Sequence, residues 1–199
     1  MTTKEQILHT ATQEFSKLGY NAVSMNDLVK KLKLNKATIY YYFKDKKTLY
    51  EEVLKDALGK VSLDFDLSKD EGDGKILLKS YIDNLCFNIE KNPYLIALGL
   101  RELANYGANI NENILPLISK QINYVDIIFS KLDLNSEFEN INTYAFSSLI
   151  HGTIHNFYVI HMSKLALGTE ELKQNDKKTL DYISNFLFQI IINAVCKEK

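Results

Sequence analysis

The sequence predicts an all-α protein of about nine helices. Apolar residues recur at intervals of three and four along most segments, which is the period of an amphipathic helix. Two prolines and eight glycines in 199 residues leave room for long uninterrupted helices. No segment alternates apolar and polar residues strictly enough to predict a strand.

The first three predicted helices are closely spaced. The first is expected to end at Gly19, because glycine is typical of the left-handed position after a helix. Ser24 is expected to cap the second, since Asp27 follows three residues later as in a capping box. A break at 33–35 then separates it from a third helix that begins at Lys36.

Six further helices are predicted after this group. Their expected positions are 45–61, with Asp45 as the cap, then 75–91, 94–106, 112–131, 137–163 and 176–197. Loops are predicted at 68–74, where polar residues and glycines cluster, and at 165–174.

The charge is distributed unevenly along the chain. Residues 1–50 contain nine lysines and four acidic residues, a net charge of +5, whereas the whole chain carries −1 and the remainder therefore −6. A basic segment on a mildly acidic body is common among nucleic-acid-binding proteins. Chance clustering of surface charge is the alternative interpretation.

Several classes of protein are excluded by the composition. Cys86 and Cys196 are the only cysteines, and they form neither a disulfide framework nor a zinc motif, which favours buried thiols in a reducing cytosol. The first ten residues lack the apolar core of a secretory signal. The stretch 183–196 is too short and too polar to span a bilayer. We therefore expect a cytoplasmic protein with no membrane partner.

The segment LNKATIYYYFKDKKTLY, residues 34–50, combines four consecutive aromatic residues with flanking lysines. At about 100° per residue, Ile39 and Phe43 fall on one face of a helix and can anchor it. The opposite face carries Ala37, Tyr40, Tyr41 and Lys44. Hydroxyls and ammonium groups on an exposed helix face can bind phosphates and base edges. Together with the preceding helix, this pattern predicts a helix-turn-helix.

Three motifs occur together in this region: Ile7-Leu8-x-x-Ala11-x-x-x-Phe15-x-x-x-Gly19-Tyr20, then Ser24-x-x-Asp27-Leu28, then Leu34-Asn35-Lys36-Ala37-Thr38-Ile39-Tyr40-Tyr41-Tyr42-Phe43-x-x-Lys46-x-x-Leu49. Their combination resembles the N-terminal DNA-binding domain of the TetR (tetracycline-repressor-like) family of bacterial regulators. The resemblance covers residues 4–54, about a quarter of the chain. The remainder is similar to the family only in the number and length of its helices.

The resemblance implies a homodimeric, ligand-responsive repressor without enzymatic activity or a cofactor. A helix-turn-helix DNA-binding domain is expected at 1–46, and an effector-binding and dimerisation domain at 47–199. The DNA contacts are expected from Met25, Asn35, Lys36, Ala37, Thr38, Tyr40, Tyr41, Tyr42 and Lys46. Met25 departs from the threonine of many members and lacks a hydroxyl that could reach a phosphate. For Tyr40 and Tyr42, packing against neighbouring helices is the alternative.

The two long late helices, about 137–163 and 176–197, are the expected dimer interface. In the family the corresponding pair forms a four-helix bundle with its mate, and a dimer suits a pseudo-palindromic operator. Packing of these helices only within their own subunit is the alternative interpretation.

Aromatic residues of the middle helices could line an apolar cavity with a few polar anchors. The candidate effector-binding residues are Phe87, Arg101, Tyr106, Tyr124, His151, His155 and Tyr158. For each of the aromatic residues, a plain core position is the alternative. Arg101, the only arginine, could bind an anionic group of the effector or a surface carboxylate. The aromatic content favours a small apolar or aromatic effector.

His151 and His155 lie one turn apart, with Tyr158 on the same helix face. Such a pair can bind a metal ion, but Gly152 stands where a zinc protease motif has glutamate, and no third ligand follows. We therefore predict no metal site. A metal-dependent hydrolase using the two histidines is one alternative function, and a module that binds DNA or protein without regulating is another.

Overall fold

The computed structural model describes residues 1–61, 72–166 and 176–197. In this part of the chain it contains nine α-helices, a 3-10 turn at Ser136–Phe138 and no strand beyond one isolated bridge. The all-α prediction is confirmed. The helices are α1 Thr3–Ala22, α2 Met25–Leu32, α3 Lys36–Tyr42, α4 Lys46–Val61, α5 Gly74–Lys91, α6 Tyr94–Ala104, α7 Leu115–Ser130, α8 Thr143–Ala166 and α9 Asp176–Val195.

Capping side chains define where the first helices begin. The Thr2 hydroxyl accepts a hydrogen bond from the Glu5 amide at 3.3 Å, and the Glu5 carboxylate accepts one from the Thr2 amide at 2.7 Å. The Ser24 hydroxyl accepts from the Asp27 amide at 3.1 Å and donates to the Asp27 carboxylate at 2.6 Å. Three of these bonds satisfy amides that the helices themselves leave without a partner. The Ser24 cap confirms the predicted start of α2.

The prediction that the first helix ends at Gly19 was wrong. Gly19 has φ 79° and ψ 167°, so the helix kinks there, but it resumes and continues to Ala22. Glycine tolerates this positive φ because it has no Cβ.

The start of the long helix predicted at 137–163 was also wrong. The side chain of Asn142 accepts a hydrogen bond from the Ala145 amide at 3.2 Å, and α8 begins at Thr143 beside this cap. Upstream, the Asn135 amide donates to the Val195 carbonyl at 2.8 Å, which ties the segment before α8 to the end of α9. The predicted loops at 68–74 and 165–174 lie largely outside the described residues.

The described residues form two compact units. The first contains α1–α4, α6 and the chain as far as Ile118. Within it α1 packs against α2, α4 and α6, and α3 packs against α2. This unit is larger than the predicted DNA-binding segment, 1–46, because α4 and α6 share its core. Its fully buried side chains include Ile7, Phe15, Leu28, Ile39, Phe43, Leu49 and Val53.

The second unit contains α5, most of α7, α8 and α9. The last helix packs against both α5 and α8, and the rings of Phe129 and Phe146 meet edge to face at 4.3 Å. Cys86 and Cys196 are buried free thiols in this unit, as predicted. Among the described helices, none combines the length and the apolar character that crossing a membrane requires.

Candidate nucleic-acid interface

A tight turn joins α2 to α3. Lys33 takes a left-handed conformation with φ 54°, and its amide donates to the Lys30 carbonyl at 3.2 Å. Two residues later the Asn35 side chain accepts a hydrogen bond from the Thr38 amide at 2.9 Å and caps α3. The two helices, each capped at its start and joined by three residues, form a helix-turn-helix.

One side of α3 is anchored and the other is open to solvent. Ile39 and Phe43 are buried in the core of the first unit. On the outer side Tyr41 is 83% exposed, and Tyr40 and Tyr42 are a little under 40% exposed. The faces predicted from the helical period are confirmed, and packing against the core leaves all three phenol rings accessible.

Cations lie among these rings. The Lys36 ammonium is 5.7 Å from the centroid of the Tyr40 ring, and the Tyr41 and Tyr42 rings meet edge to face at 5.1 Å. Lys44 is exposed at the end of α3. Phenol hydroxyls and ammonium groups on one surface can donate hydrogen bonds to an anionic backbone, while the rings contact apolar atoms.

The start of α4 borders this surface. The Asp45 carboxylate accepts from the Thr48 amide at 2.7 Å, and this bond lowers the pKa of Asp45. Lys46 differs from its exposed neighbour Lys47: its Nζ donates to the Asn21 carbonyl at 3.3 Å and lies 4.5 Å from the centroid of the Tyr20 ring. Burial lowers the pKa of Lys46. Its ammonium is therefore engaged with the end of α1.

Met25, which was expected to contact DNA, is only 8% exposed and belongs to the core. It is the first residue of α2, and its thioether packs inward because it has no hydroxyl to hold at the surface. The structure thus separates Met25 from the open face that carries the tyrosines of α3.

A comparison with protein families matches residues 7–53, from α1 into α4, to the bacterial regulatory proteins of the tetR family. The likeness to the TetR family is thus shown for this segment of the chain. Two regulators of Staphylococcus aureus are similar to part of the chain. The negative transcriptional regulator of the biofilm operon icaADBC, IcaR of strain Newman, is 36% identical over 52 residues, which are 26% of this chain and 28% of IcaR. The regulator QacR is 41% identical over 54 residues, 27% of this chain and 29% of QacR. The similarity to these TetR-family regulators thus spans less than a third of their length.

A solved structure of similar fold covers nearly the whole chain. The transcriptional regulator FadR from Bacillus subtilis, in complex with stearoyl-CoA, superposes with a TM-score of 0.67 at 19% identity, over 94% of this chain and 97% of FadR. The likeness shows that the helices outside residues 7–53 share the fold of this regulator.

Two of the residues predicted to bind the effector belong to the first unit. Arg101 donates from Nε to the Ser16 carbonyl at 2.9 Å and from Nη2 to the Lys17 carbonyl at 2.6 Å. Tyr106 is 99% exposed, in a left-handed conformation with φ 52°. Both side chains therefore have surroundings unlike the lining of an apolar cavity, and the sole arginine bonds to main chain rather than to a surface carboxylate.

The histidines lie together in the second unit. The Tyr81 hydroxyl and His151 Nε2 are 2.8 Å apart, and the His151 and His155 rings are 5.7 Å apart. Burial, with a smaller contribution from His155, lowers the pKa of His151 to about 4, and burial also lowers that of His155. Burial and then Glu90 raise the pKa of Tyr158. The cluster is therefore uncharged at neutral pH. Sequence analysis missed Tyr81, which looks like any other buried position of α5.

The remaining two candidates differ from each other. Tyr124 is buried, whereas Phe87 is about half exposed, with the Lys91 ammonium 4.1 Å from its ring centroid. Phe87 borders a groove of about 490 Å³ between α5 and α9, which is also lined by Asp83, Glu90 and Asp181. In the described part of the chain, no three His, Cys, Asp or Glu side chains gather where they could hold a metal ion.

Proposed function

We propose that this chain is a dimeric bacterial transcriptional repressor that binds operator DNA through α3 and is released from it by a small ligand. One observation carries the proposal. Within the segment that matches the TetR family, α3 is anchored by Ile39 and Phe43 and presents three accessible tyrosines flanked by lysines. A helix anchored on one side and polar on the other fits the major groove.

The residues of α3 divide between base and backbone contacts. Tyr41, the most exposed, is our candidate for a base or sugar contact, with Tyr40 and Tyr42 beside it. At the N-terminal end, Lys36 offers a charge to phosphate, and the small side chain of Ala37 lets the helix approach the groove closely. Asn35 and Thr38 complete the contacting set around the cap.

Dimerisation is proposed through α8 and α9. Tyr182, Phe186 and Ile190 follow one another at intervals of four residues on α9 and are 59%, 46% and 48% exposed. Leu149 and Ile160 form a similar half-exposed pair on one face of α8. Apolar stripes on two helices that pack together support a four-helix bundle with a second copy. Two copies present two recognition helices, as a pseudo-palindromic site requires.

The effector site is proposed in the second unit around His151, His155 and Tyr158, with Tyr81 beside His151. Tyr124, a buried residue of the same unit, is a further candidate. Burial lowers the pKa of both imidazoles and raises the pKa of the Tyr81 and Tyr158 phenols, so these four groups are uncharged at neutral pH. An uncharged lining favours a neutral ligand with aromatic or aliphatic surface and a few hydrogen-bonding groups. FadR, of similar fold, was solved with stearoyl-CoA, which supports a ligand-responsive domain here. The ligand would act by favouring a conformation that no longer fits the operator.

The test is fluorescence anisotropy on a duplex recovered by selection from random DNA. Tyr41→Ala is expected to weaken specific binding at least tenfold, since losing a good base-edge contact costs roughly 1–3 kcal/mol per half-site. Tyr106→Ala is the matched control, because Tyr106 is equally open to solvent in the same unit but far along the chain from α3. Equal affinity of the Tyr41→Ala variant and the wild type would contradict the proposal.

Two measurements separate the alternative functions. A metal-dependent hydrolase would purify with stoichiometric zinc, iron or manganese, whereas we expect none. A module that binds DNA without regulating would keep its operator affinity in the presence of every ligand, whereas we expect apolar or aromatic compounds that bind near His151 to weaken it.

A further inference from the structure

Two cations bind the kinked end of α1, Arg101 from α6 and Lys46 from α4. We call residues Gly19–Ala22 the kink segment. A kink frees carbonyl groups of the turn before it. Arg101 of α6 donates to two of these, the carbonyls of Ser16 and Lys17, at 2.9 and 2.6 Å. The forked guanidinium suits this task, since one side chain reaches both acceptors at once.

The fit around Gly19 is close. A Cβ at this position would lie 3.3 Å from Arg101 Nη1, so the guanidinium occupies the space that a side chain would need. Arg101 thus fixes the position of the helical turn that precedes the kink segment.

Lys46 links the kink segment to the start of α4. Its ammonium donates to the Asn21 carbonyl at 3.3 Å and lies 4.5 Å from the centroid of the Tyr20 ring. Lys46 follows the last residue of α3 by only four positions. The kink segment is therefore attached where the chain leaves the recognition helix.

We propose that Arg101 and Lys46 are positioning residues for DNA binding, which hold the kink segment so that α3 and the start of α4 keep their binding geometry. The inference rests on the proposed DNA-binding function. The family resemblance implies a DNA contact for Lys46, but its ammonium already has a carbonyl and a ring as partners. Lys44 and Lys47, both exposed beside it, are then the lysines that neutralise phosphates at this edge.

The salt dependence of binding distinguishes the two roles. A lysine that neutralises a phosphate contributes about 0.9 to the slope of log K against log salt concentration, and a positioning residue contributes nothing to it. Lys46→Met keeps the aliphatic stem and removes the ammonium. We expect Lys46→Met to weaken DNA binding about tenfold, because the fraction of protein in the binding-competent conformation would fall to roughly a tenth. The slope of log K against log salt concentration should stay as in the wild type. Lys46→Arg, which retains a cation and a donor, is expected to restore most of the affinity.

Lys47→Met is the contrasting variant and is expected to reduce the slope by about 0.9 per subunit. Lys60→Met is the matched control, because Lys60 lies on the same helix, near its other end, and pairs with Asp56. It should leave both affinity and slope as in the wild type. Arg101→Lys keeps the charge but loses the fork, so it should weaken binding with an unchanged slope.

All variants are measured at a temperature at which circular dichroism shows them folded. A reduced slope for Lys46→Met, equal to that of Lys47→Met, would overturn the inference, as would wild-type affinity for both Lys46→Met and Arg101→Lys. Failure of the wild type to bind any selected duplex would instead refute the proposed function on which the inference rests.

Discussion

A buried hydrogen bond between α4 and α6 gives a sharp prediction about stability. The Tyr50 hydroxyl donates to the Glu102 carboxylate at 2.5 Å, and the two residues are 2% and 7% exposed. Burial, and next the bond to Glu102, raise the pKa of Tyr50 well above its usual value, so the phenol keeps its proton and remains the donor. The Asn109 side chain also donates to Glu102, at 3.0 Å.

Tyr50→Phe removes only the hydroxyl. The ring can keep its contacts with Phe15 at 4.7 Å and Tyr20 at 5.0 Å. A hydrogen bond to a charged group contributes roughly 1.5–3 kcal/mol to stability. Because Glu102 retains its bonds from Asn109, we expect the variant to lose about 2 kcal/mol of unfolding free energy.

Urea denaturation measures this loss as a lower midpoint with an unchanged slope. The protein concentration is held constant, since the proposed dimerisation would shift the apparent stability. Tyr144→Phe is the matched control: Tyr144 is largely exposed, so its variant should stay within about 0.5 kcal/mol of the wild type. If Tyr50→Phe also stayed within that limit, the bond would not stabilise the junction of α4 and α6, and our reasoning would be refuted.

Three further predictions concern other parts of the chain. Gly74→Ala places a Cβ 2.5 Å from the Lys131 carbonyl oxygen, so this variant should lose about 1–3 kcal/mol of unfolding free energy and melt at a lower temperature. Gly59→Ala, which has open space around the new Cβ, should instead melt at a higher temperature. The pKa of His151 falls from 6.5 to about 4 on folding, so the unfolded chain binds more protons between these values. The stabilisation by neutral His151 is therefore complete above about pH 6.5 and is lost as the pH falls toward 4. A His151→Gln variant should show a weaker pH dependence of the urea midpoint in this window. An unchanged pH dependence would contradict the lowered pKa of His151. Asp45→Ala removes the cap of α4 and should lower the unfolding free energy by about 1 kcal/mol, whereas Asp45→Asn should retain most of the stability. Equal urea midpoints for these two variants would argue that the Asp45 side chain does not stabilise α4.

The recognition helix and its caps could be predicted because they depend on neighbouring residues. Ile39 and Phe43 face the core, and Tyr40 and Tyr41 face solvent, as the helical period requires. The cap of Ser24 on Asp27 likewise spans only three residues. Where local geometry decides a structure, the sequence pattern contains enough information to predict it.

Long-range contacts explain the expectations that failed. Arg101 bonds to carbonyls 84 and 85 positions earlier, and no local pattern indicates such partners. The same contacts hold α6 in the first unit, together with α1–α4. Apolar spacing also continues through Phe138 and Ile141, but the cap at Asn142 starts α8 later than this spacing predicts.

The candidate effector residues show a second reason why the sequence alone could not predict the site. Their aromatic character predicted either a cavity lining or a core position; Tyr124 is buried, whereas Tyr106 is almost fully exposed. Which side chains lie together depends on the packing of α5 against α8, since the partner of His151 is Tyr81, 70 positions earlier. Composition alone cannot group residues from different helices into one site.

The central claim, that two copies of α3 bind operator DNA, is tested most directly by selecting duplexes from a random pool and determining how many subunits bind each. We predict enrichment of a pseudo-palindrome whose half-sites lie one helical turn, or a multiple of it, apart, bound by an even number of subunits with an affinity that falls steeply with salt. No enriched sequence, or equal affinity for the enriched duplex and its scrambled version, would contradict the claim.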